Sequence, residues 1–335
     1  MIILSNSFTD KTDEGCLKVA NSLVKRIKKA YPDVTVISYD RKCKYTDIYL
    51  PINKLLINGR LISILNKMKQ SVLYIPYPAP TLTTSLRIWI LSLFSRAGLK
   101  VMLVQCGKMN IIAKLLLKCS KADVIAISKQ AFDFYRSIVG NKVRYLKTGV
   151  DTKKFVPVSS EKVKELKIKY GFDPEKPIVL HVGHMKYGRN ISVLTEINKK
   201  YQVLLVVSTL TKDDQDKSLK EQLVNGSNIK IIDDYISNIE EIYQMSDVYF
   251  FPVQDSSNCI DVPLSCLEAA SCNKPVVTTD YGEMMEFKGK EGFFFIESFE
   301  QNELNRVLDK ALLSEVNTRK NVIGYDWENS ISALI

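Results

Sequence analysis

This chain of 335 residues has few histidines and cysteines, the residues that stabilise small domains by binding zinc or forming disulfide bonds. The two histidines lie three positions apart with no third ligand nearby, and the seven cysteines include no Cys-x-x-Cys pair. A structural zinc site and a disulfide framework are therefore both disfavoured. Unpaired cysteines fit a reducing compartment, so we expect the protein to be cytoplasmic.

Long apolar runs are also lacking. The longest, residues 88–94, is interrupted by Ser92 and falls far short of the ~20 residues that cross a bilayer. The first residues show neither the basic segment nor the small-residue cleavage site of a signal peptide. We therefore expect neither a membrane-spanning helix nor a cleaved leader.

The rest of the composition is that of an ordinary globular protein, with 46% hydrophobic and 25% charged residues. Such proportions exclude a disordered chain, a collagen-like repeat and a coiled coil. The length suffices for about two domains of roughly 150 residues each, both large enough to bury a core.

Positive charge is concentrated in the first half of the chain. Residues 1–155 carry 27 lysines and arginines against 9 acidic residues, the remainder carries 20 against 28, and the net charge is +10. No acidic residue lies between Asp47 and Asp123, an interval with 11 lysines and arginines. This segregation predicts an anionic surface or substrate for the first domain and a different partner for the second. Ordinary solvated lysine faces are the alternative interpretation.

Short apolar runs alternate with amphipathic helical segments, a pattern typical of βαβ units with parallel sheets. Residues 15–30 illustrate the helices, because Leu17, Ala20, Val24 and Ile27 form one apolar stripe. The predicted fold class is α/β, with two Rossmann-like doubly wound domains facing across a cleft. Strands are predicted at 2–4, 34–38, 72–75, 101–104, 124–127 and 144–146 in the first half, and at 178–182, 203–207, 229–232, 248–252, 275–278 and 292–296 in the second.

The loop after the first strand of the second half carries three basic side chains. His184, Lys186 and Arg189 surround two glycines, just before a helix predicted at 191–197. Cations beside a helix N-terminus suit a diphosphate, and glycine lets the backbone approach it closely. His181, inside the strand, is interpreted as a core or supporting residue rather than a metal ligand.

A second polar loop precedes Pro263, which favours the start of a helix at 264–272. That helix is apolar or small apart from Glu268. Asp261 and Glu268 are seven positions apart and share a face if both are helical. A lone carboxylate on such a helix ordinarily faces solvent; a buried one needs partners, and sugar hydroxyls are suitable.

The two loops belong to a longer series of short motifs that begins after residue 122. The motifs are Ala126-Ile-Ser-Lys129, Lys147-Thr-Gly-Val-Asp151 with Phe155, Gly183-His184 with Arg189, Tyr243-Gln-Met-Ser-Asp247, Pro263-Leu-Ser-Cys-Leu-Glu-Ala269, Lys274-Pro-Val-Val277 and Asp326-Trp327-Glu328. In this order and spacing they resemble the retaining group 1 glycosyltransferases of the GT-B fold. The last motif resembles the family's terminal helix, so we expect domains at 1–150 and 151–315 and a C-terminal helix, 316–335, returning toward the first.

In that family the second domain binds a nucleotide-sugar, and the resemblance implies roles for individual residues. Arg189 occupies the position of a phosphate-binding lysine, His184 that of a phosphate-binding arginine, and Glu268 that of a ribose-binding glutamate. The family's first carboxylate falls on Ile260, with Asp261 one step away. The expected donor-binding residues are Gly183, His184, Arg189, Leu264, Ser265 and Glu268.

The first 120 residues resemble the family in layout and would bind the acceptor. The family's His-Gly after the fourth strand is replaced here by Gln105-Cys106-Gly107, and its glycine-rich loop after the first strand is reduced to Glu14-Gly15. The expected acceptor-side residues are therefore Gly15, Gln105 and Gly107.

The implied reaction is transfer of a sugar, of the hexosyl type, from a nucleotide-diphosphate donor to an acceptor hydroxyl with retention at the anomeric carbon. The expected catalytic residues are Arg189 and Lys186, which offset the charge of the departing diphosphate together with His184, and Asp261, which orients a sugar hydroxyl. Neither a metal ion nor a cofactor is expected. The Asp-x-Asp at 214–216 is interpreted as charge at a helix N-terminus.

Two segments of the basic first domain suggest a membrane surface. Residues 87–96 place a tryptophan and bulky apolar residues between arginines, and residues 55–68 are similarly apolar with basic neighbours. Such segments can lie in an anionic membrane interface. We therefore expect a peripheral enzyme on the inner face of the cell membrane with a lipid-linked or other anionic acceptor. The alternative is that both are core-facing helices.

Two other functions are compatible with parts of the sequence. The departures at His184 and Ile260 allow a catalytically inactive GT-B protein with a nucleotide-binding or regulatory role. The basic first half allows a nucleic-acid-binding protein. Its basic residues are mostly lysines without an aromatic strand platform, however, so no nucleic-acid partner is expected.

Overall fold

The chain is described by a computed structural model that covers residues 1–6, 8–11, 13–39, 42–51, 57–77, 80–107, 109–208, 215–225, 228–255, 259–331 and 334. It divides into two compact units. The first unit comprises Met1–Thr148 and Trp327–Ile335, and the second unit is Gly149–Asp326. The C-terminal segment is thus shorter than the predicted 316–335, because residues up to Asp326 stay in the second unit.

The first unit contains one parallel sheet with strand order β3-β2-β1-β4-β5-β6-β7. Its strands β1 to β7 are Ile2–Ser5, Thr35–Tyr39, Ile48–Leu50, Val72–Ile75, Leu99–Leu103, Ala122–Ala126 and Val143–Tyr145. Its helices α1 to α5 are Gly15–Ala30, Gly59–Met68, Leu82–Phe94, Ile111–Cys119 and Lys129–Val139. The short helix Trp327–Ile331 packs against α1.

Local sequence explains why these elements form. Every residue of β1 is buried, as expected for a central parallel strand covered on both faces. Helix α1 begins after Glu14, whose side chain accepts a hydrogen bond of 2.9 Å from the backbone N–H of Leu17. The predicted apolar stripe of α1 is buried throughout. Strand β3 escaped prediction because three residues are too short to show a period.

The two apolar segments predicted to meet a membrane largely face the core. Arg87 on α3 is buried and donates to the hydroxyl of Tyr74 at 2.6 Å, so it does not flank an exposed surface as predicted. Ile88 and Leu91 of the same helix are also buried. In the segment 55–68, residues 55 and 56 lie outside the described residues, and the helix that follows buries its leucines. No described helix is long and apolar enough to cross a membrane.

The second unit repeats the same topology with strand order β10-β9-β8-β11-β12-β13, again all parallel. Its strands β8 to β13 are Ile178–Gly183, Gln202–Val207, Ile229–Ile232, Val248–Phe251, Val276–Thr278 and Phe293–Phe295. Its helices α6 to α10 are Ser160–Lys169, Lys217–Val224, Ile239–Met245, Leu264–Ser271 and Gln301–Leu313.

One predicted helix of the second unit is not α-helical. The segment predicted at 191–197 is a 3₁₀ helix, Ile191–Glu196. It follows Asn190, which adopts a left-handed conformation with φ of 55°. Ile191, Val193 and Thr195 are β-branched and disfavour an α-helix, which accounts for the difference.

In both sheets the order of the strands changes direction at the first strand. The order changes between β1 and β4 in the first unit and between β8 and β11 in the second. In doubly wound sheets, ligands bind outside the carboxyl ends of the strands at such a switch point. The loops after β8 and β11 are the two that sequence analysis selected, so the topology of the second unit places them side by side.

Candidate active site

The loop after β8 begins with a close approach between Gly183 and two functional side chains. A Cβ atom on Gly183 would lie 2.9 Å from Nε2 of His181 and 3.4 Å from Nη1 of Arg189. Only glycine leaves room for both groups at the end of the strand. Arg189 is buried, so its guanidinium lies at the carboxyl end of β8 rather than in solvent.

His181 supports this arrangement from inside the strand. It is fully buried, and its Nδ1 lies 2.9 Å from the carbonyl oxygen of Phe250, to which it donates. Burial, reinforced by the charge of Arg189, lowers the pKa of His181 to about 4. The imidazole is therefore neutral at physiological pH and presents Nε2 as an acceptor. That atom has no hydrogen-bond partner among the described residues.

Arg189 also has an unused polar atom. Its Nε is buried without a hydrogen-bond partner in the described part of the chain. Burial of a guanidinium is costly unless anionic or hydrogen-bonding groups compensate for the lost water. A bound anion is the natural compensation for a cation in this position.

The other two basic residues of the loop are more accessible. His184 and Lys186 are half-buried, and between them Met185 is fully buried and anchors the loop. The carbonyl oxygen of Met185 accepts a hydrogen bond of 3.1 Å from the backbone N–H of Asp216. The loop therefore carries His184 and Lys186 on either side of an anchored Met185.

Glu268 on α9 is buried, contrary to what its isolated position on the helix favours. The hydroxyl of Tyr243, on α8, donates to Oε2 of Glu268 at 2.7 Å. Burial and the Glu268 charge raise the pKa of Tyr243 well above its usual range, so the phenol remains a donor. Sequence reasoning missed Tyr243, although it opens one of the family-like motifs.

Cys266, on α9 two residues before Glu268, carries a fully buried thiol. Burial raises the pKa of Cys266, nearby Cys259 and Glu268 raise it further, and Arg189 opposes them. Because β8 and β11 are neighbours in the sheet, the loop that carries Arg189 and the segment that leads into α9 leave the sheet side by side.

Asp261 is buried in the loop before α9, not on the helix, so it does not share a helical face with Glu268. Its carbonyl oxygen accepts a hydrogen bond of 2.9 Å from the backbone N–H of Glu283. Gly282 packs so tightly that a Cβ atom there would lie 2.3 Å from the same oxygen. Ile260, at the family's carboxylate position, is buried and apolar.

Tyr281 is a second residue that sequence reasoning missed. Its hydroxyl donates to the carbonyl oxygen of Cys259 at 2.8 Å. Burial raises its pKa, Asp261 adds to that rise and Arg189 opposes it. The hydroxyl of Tyr281 thus fixes the backbone of Cys259, two residues before Asp261.

The start of α9 contributes two further predicted residues. Leu264 is buried and Ser265 is half-buried. The N-cap residue is Pro263, which makes no side-chain hydrogen bond to the first turn, and its carbonyl oxygen accepts from the backbone N–H of Cys266 at 3.1 Å. The N-terminal turn of a helix is the end that favours an anion.

The three acceptor-side residues lie at the carboxyl edge of the first unit's sheet. Gly15 is the first residue of α1. The carbonyl oxygen of Gln105 accepts a hydrogen bond of 2.7 Å from the hydroxyl of Tyr135. A Cβ atom on Gly107 would lie 2.3 Å from the carbonyl oxygen of Pro80, so glycine is required where these loops meet.

Among the described residues, no three side chains of histidine, cysteine, aspartate or glutamate lie close enough together to hold a metal ion. In the Asp-x-Asp sequence, Asp216 is the N-cap of α7 and accepts from the backbone N–H of Leu219, as predicted. Asp214 lies outside the described residues.

Comparison with known proteins places the second unit in a family. Residues 162–326 match the sequence model of the glycosyl transferases group 1. A sulfoquinovosyl transferase from Arabidopsis thaliana is 25% identical over 202 residues, which is 56% of this chain. The match spans 38% of that relative's length.

Two solved structures share the fold across nearly the whole chain. Sucrose-phosphate synthase from Thermosynechococcus elongatus is 16% identical with a TM-score of 0.73, covering 99% of this chain and 96% of that one. HepE from Anabaena in complex with UDP-glucose is 15% identical with a TM-score of 0.74, covering 100% and 98%. Both units have the GT-B fold of these structures, and residues 162–326 of the chain are a group 1 glycosyltransferase domain.

Proposed function

We propose that this protein transfers a sugar from a nucleotide-diphosphate donor to an acceptor hydroxyl, with retention at the anomeric carbon and without a metal ion. The observation that carries the proposal is the buried guanidinium of Arg189 at the switch point of the second sheet. Its unused Nε and the glycine beneath it suit the close approach of a diphosphate.

Glu268 fits the ribose of the donor. A carboxylate can accept several hydrogen bonds at once, and ribose hydroxyls are suitable donors. Tyr243 fixes the carboxylate from the side of α8, which orients it before the donor arrives. The N-terminal turn of α9 favours the phosphate oxygens of the donor.

The proposed step exchanges one bond at the anomeric carbon for another. The bond to the diphosphate oxygen breaks, a bond to the acceptor oxygen forms on the same face, and the acceptor proton passes to the departing diphosphate. Arg189 and Lys186, with His184, stabilise the negative charge that develops on the diphosphate. Asp261 accepts a hydrogen bond from a hydroxyl of the transferred sugar and so fixes the orientation of the sugar.

The first test is calorimetric titration of the full chain with UDP, GDP and ADP, each with and without Mg²⁺. UDP comes first because HepE was solved with UDP-glucose. We expect one nucleotide to bind independently of Mg²⁺, and Arg189→Ala or Glu268→Ala to weaken it by about tenfold or more, since each removes a charge-assisted contact. Arg306→Ala, in an exposed pair with Glu303, is the matched control and leaves affinity unchanged.

Binding that requires Mg²⁺ would contradict the metal-independent mechanism. Binding to none of the nucleotides, or equal affinity in Arg189→Ala, would contradict the assignment of the diphosphate site. These outcomes bear on the donor alone, so the acceptor does not need to be known.

Retention is tested by hydrolysis of the donor sugar. Proton NMR of freshly released sugar distinguishes the retained from the inverted anomer before mutarotation mixes them. We expect the anomer of the donor; the opposite anomer would exclude a retaining mechanism. Donor binding without any hydrolysis or transfer favours the inactive GT-B alternative.

The excess of positive charge in the first half supports a lipid-linked or otherwise anionic acceptor. The interval between Asp47 and Asp123, with 11 basic residues and no acidic one, forms most of α2, α3 and α4 in the first unit. Fields of one sign raise the local concentration of an oppositely charged partner.

A further inference from the structure

The helix α4 exposes a continuous apolar face in the first unit. Ile111, Ile112 and Leu115 are 85%, 59% and 57% exposed. Ala113 and Leu117 on the opposite side are buried against the core. Spacings of one and four residues place the three exposed side chains on one side of the helix, so together they form the α4 face.

Single exposed apolar residues are common on protein surfaces, but clusters on one short helix are not. The α4 face places three branched aliphatic side chains within two turns. None of them serves the core, which α4 contacts through its other side. A surface of this kind is typical of a helix that is covered when the protein functions.

Lysines border the α4 face. Lys114 and Lys118 are exposed on the same helix, and Lys121 is exposed directly after it. On a helical wheel, Lys114 and Lys118 lie beside Ile111 and Leu115 and not on the buried side. The sequence of α4 contains no acidic residue, and the nearest ones, Asp123 and Asp133, follow the helix, so nothing on α4 itself offsets the charge of these lysines.

We propose that the α4 face docks the protein on an anionic phospholipid surface, with α4 lying in the plane of the interface. Apolar side chains between lysines match both parts of that partner: the hydrocarbon edge accepts Ile111, Ile112 and Leu115, and the lipid phosphates pair with Lys114 and Lys118. A two-fold contact between copies of this chain would instead bring these lysines toward their own counterparts.

This inference goes beyond glycosyl transfer and does not depend on it. Docking involves the first unit, whereas donor binding is proposed for the second. It also moves the membrane contact from the predicted segments, where Arg87 is buried, to the next helix of the chain.

The test is flotation of the full chain with vesicles of phosphatidylcholine mixed with phosphatidylglycerol, and with vesicles of phosphatidylcholine alone. We expect binding to the anionic vesicles that weakens as salt is raised, because screening reduces the lysine–phosphate attraction. Ile111→Ser/Leu115→Ser is expected to reduce the bound fraction by about tenfold, since it removes most of the inserted apolar surface.

Matched variants distinguish loss of the α4 face from a general loss of exposed apolar surface or positive charge. Leu313→Ser replaces a leucine that is 83% exposed on α10 of the second unit and leaves vesicle binding unchanged. Lys114→Gln/Lys118→Gln weakens binding to anionic vesicles, whereas Lys162→Gln/Lys164→Gln, which removes the same charge from α6, does not.

Three results would overturn the proposal: no binding to anionic vesicles, equal binding to both vesicle types, or unchanged binding by Ile111→Ser/Leu115→Ser. Conversion of a dimer to a monomer by that variant in sedimentation would assign the α4 face to self-association instead. Circular dichroism verifies that each variant is folded. Titration with nucleotide is unaffected in every α4 variant, so failure of docking and failure of the donor site are distinguishable.

Discussion

The hydroxyl of Tyr243 donates to Oε2 of Glu268 across 2.7 Å inside the second unit, and both side chains are buried. The pair joins α8 to α9 and fixes the position of the carboxylate. Because Tyr243 reaches the ligand only through Glu268, it is a positioning residue. Its effect on donor binding should vanish once Glu268 is gone.

Tyr243→Phe is therefore expected to weaken nucleotide binding by about five- to tenfold, the value of one buried hydrogen bond. Calorimetric titration measures this in the wild-type chain and in the Glu268→Ala background, where the substitution should have no further effect. Tyr170→Phe is the matched control, because Tyr170 donates to Oε2 of Glu241 at the same 2.7 Å. An equal loss in the Glu268→Ala background would show that Tyr243 acts by another route.

His181 is predicted to make the stability of the protein depend on pH. Its pKa is about 4 in the folded chain and about 6.5 when unfolded, so the unfolded state binds more protons between these values. Stability is then fully present above pH 6.5 and falls as the pH drops towards 4. Between pH 7.5 and 5 the loss amounts to about 2 kcal/mol.

NMR of histidine-labelled protein measures this directly, since the chain has only two histidines. The signal that persists in His184→Ala belongs to His181 and should titrate with a midpoint near 4. A midpoint above 6 would contradict the neutral imidazole beside Arg189. Urea unfolding at pH 7.5 and 5 then compares wild type with His181→Gln, in which the dependence on pH should be weaker.

The strands were largely predictable because buried parallel strands are continuous apolar runs with clear ends. β8 and β11 are examples, because each is an apolar run that ends at a polar loop. β3 was not predictable, since Ile48–Leu50 is short and its middle residue is exposed. Its position follows from pairing with β2, which is a tertiary contact.

The surroundings of individual side chains were less predictable than the elements. Glu268 looked like a solvent-facing carboxylate because its partner Tyr243 lies 25 positions away on another helix. Arg87 looked like a membrane-facing cation because its partner Tyr74 is on a strand. In each case the missing information is which face of an element meets which neighbour.

Gly282 is predicted to hold the loop of Asp261 in place. Both Gly282 and Gly289 have positive φ, of 49° and 80°, so alanine at either costs about 1 kcal/mol in backbone strain. At Gly282 the new Cβ would also meet the carbonyl oxygen of Asp261 at 2.3 Å, whereas nothing lies within 4 Å at Gly289.

Gly282→Ala should therefore lose more stability in urea unfolding than Gly289→Ala and should also weaken donor binding, because Asp261 is displaced. Gly289→Ala should leave donor affinity unchanged. Equal effects of the two substitutions on both measurements would mean that the contact with Asp261 is relieved without consequence for the site.

Arg319 is predicted to stabilise the second unit far more than an exposed arginine does. Its Nη1 donates to the carbonyl oxygen of Phe155 at 2.7 Å and to Oγ of Ser271 at 3.0 Å, and its Nη2 donates to the carbonyl oxygen of Thr152 at 2.8 Å. One planar guanidinium thus joins the entry of the unit to the end of α9, an arrangement that lysine cannot reproduce.

Arg319→Ala removes all of these hydrogen bonds, although the carbonyl oxygen of Phe155 keeps the one from Oγ of Ser271. The substitution is expected to lower the free energy of unfolding by about 3 kcal/mol. Arg306→Ala, whose exposed partner is Glu303, should leave it nearly unchanged. Urea unfolding followed by circular dichroism compares the two. Arg319 binds the end of α9 at Ser271, three residues after Glu268. We expect Arg319→Ala to reduce nucleotide binding only as far as it unfolds the unit. A loss of affinity in fully folded Arg319→Ala would show that the guanidinium also sets the position of Glu268.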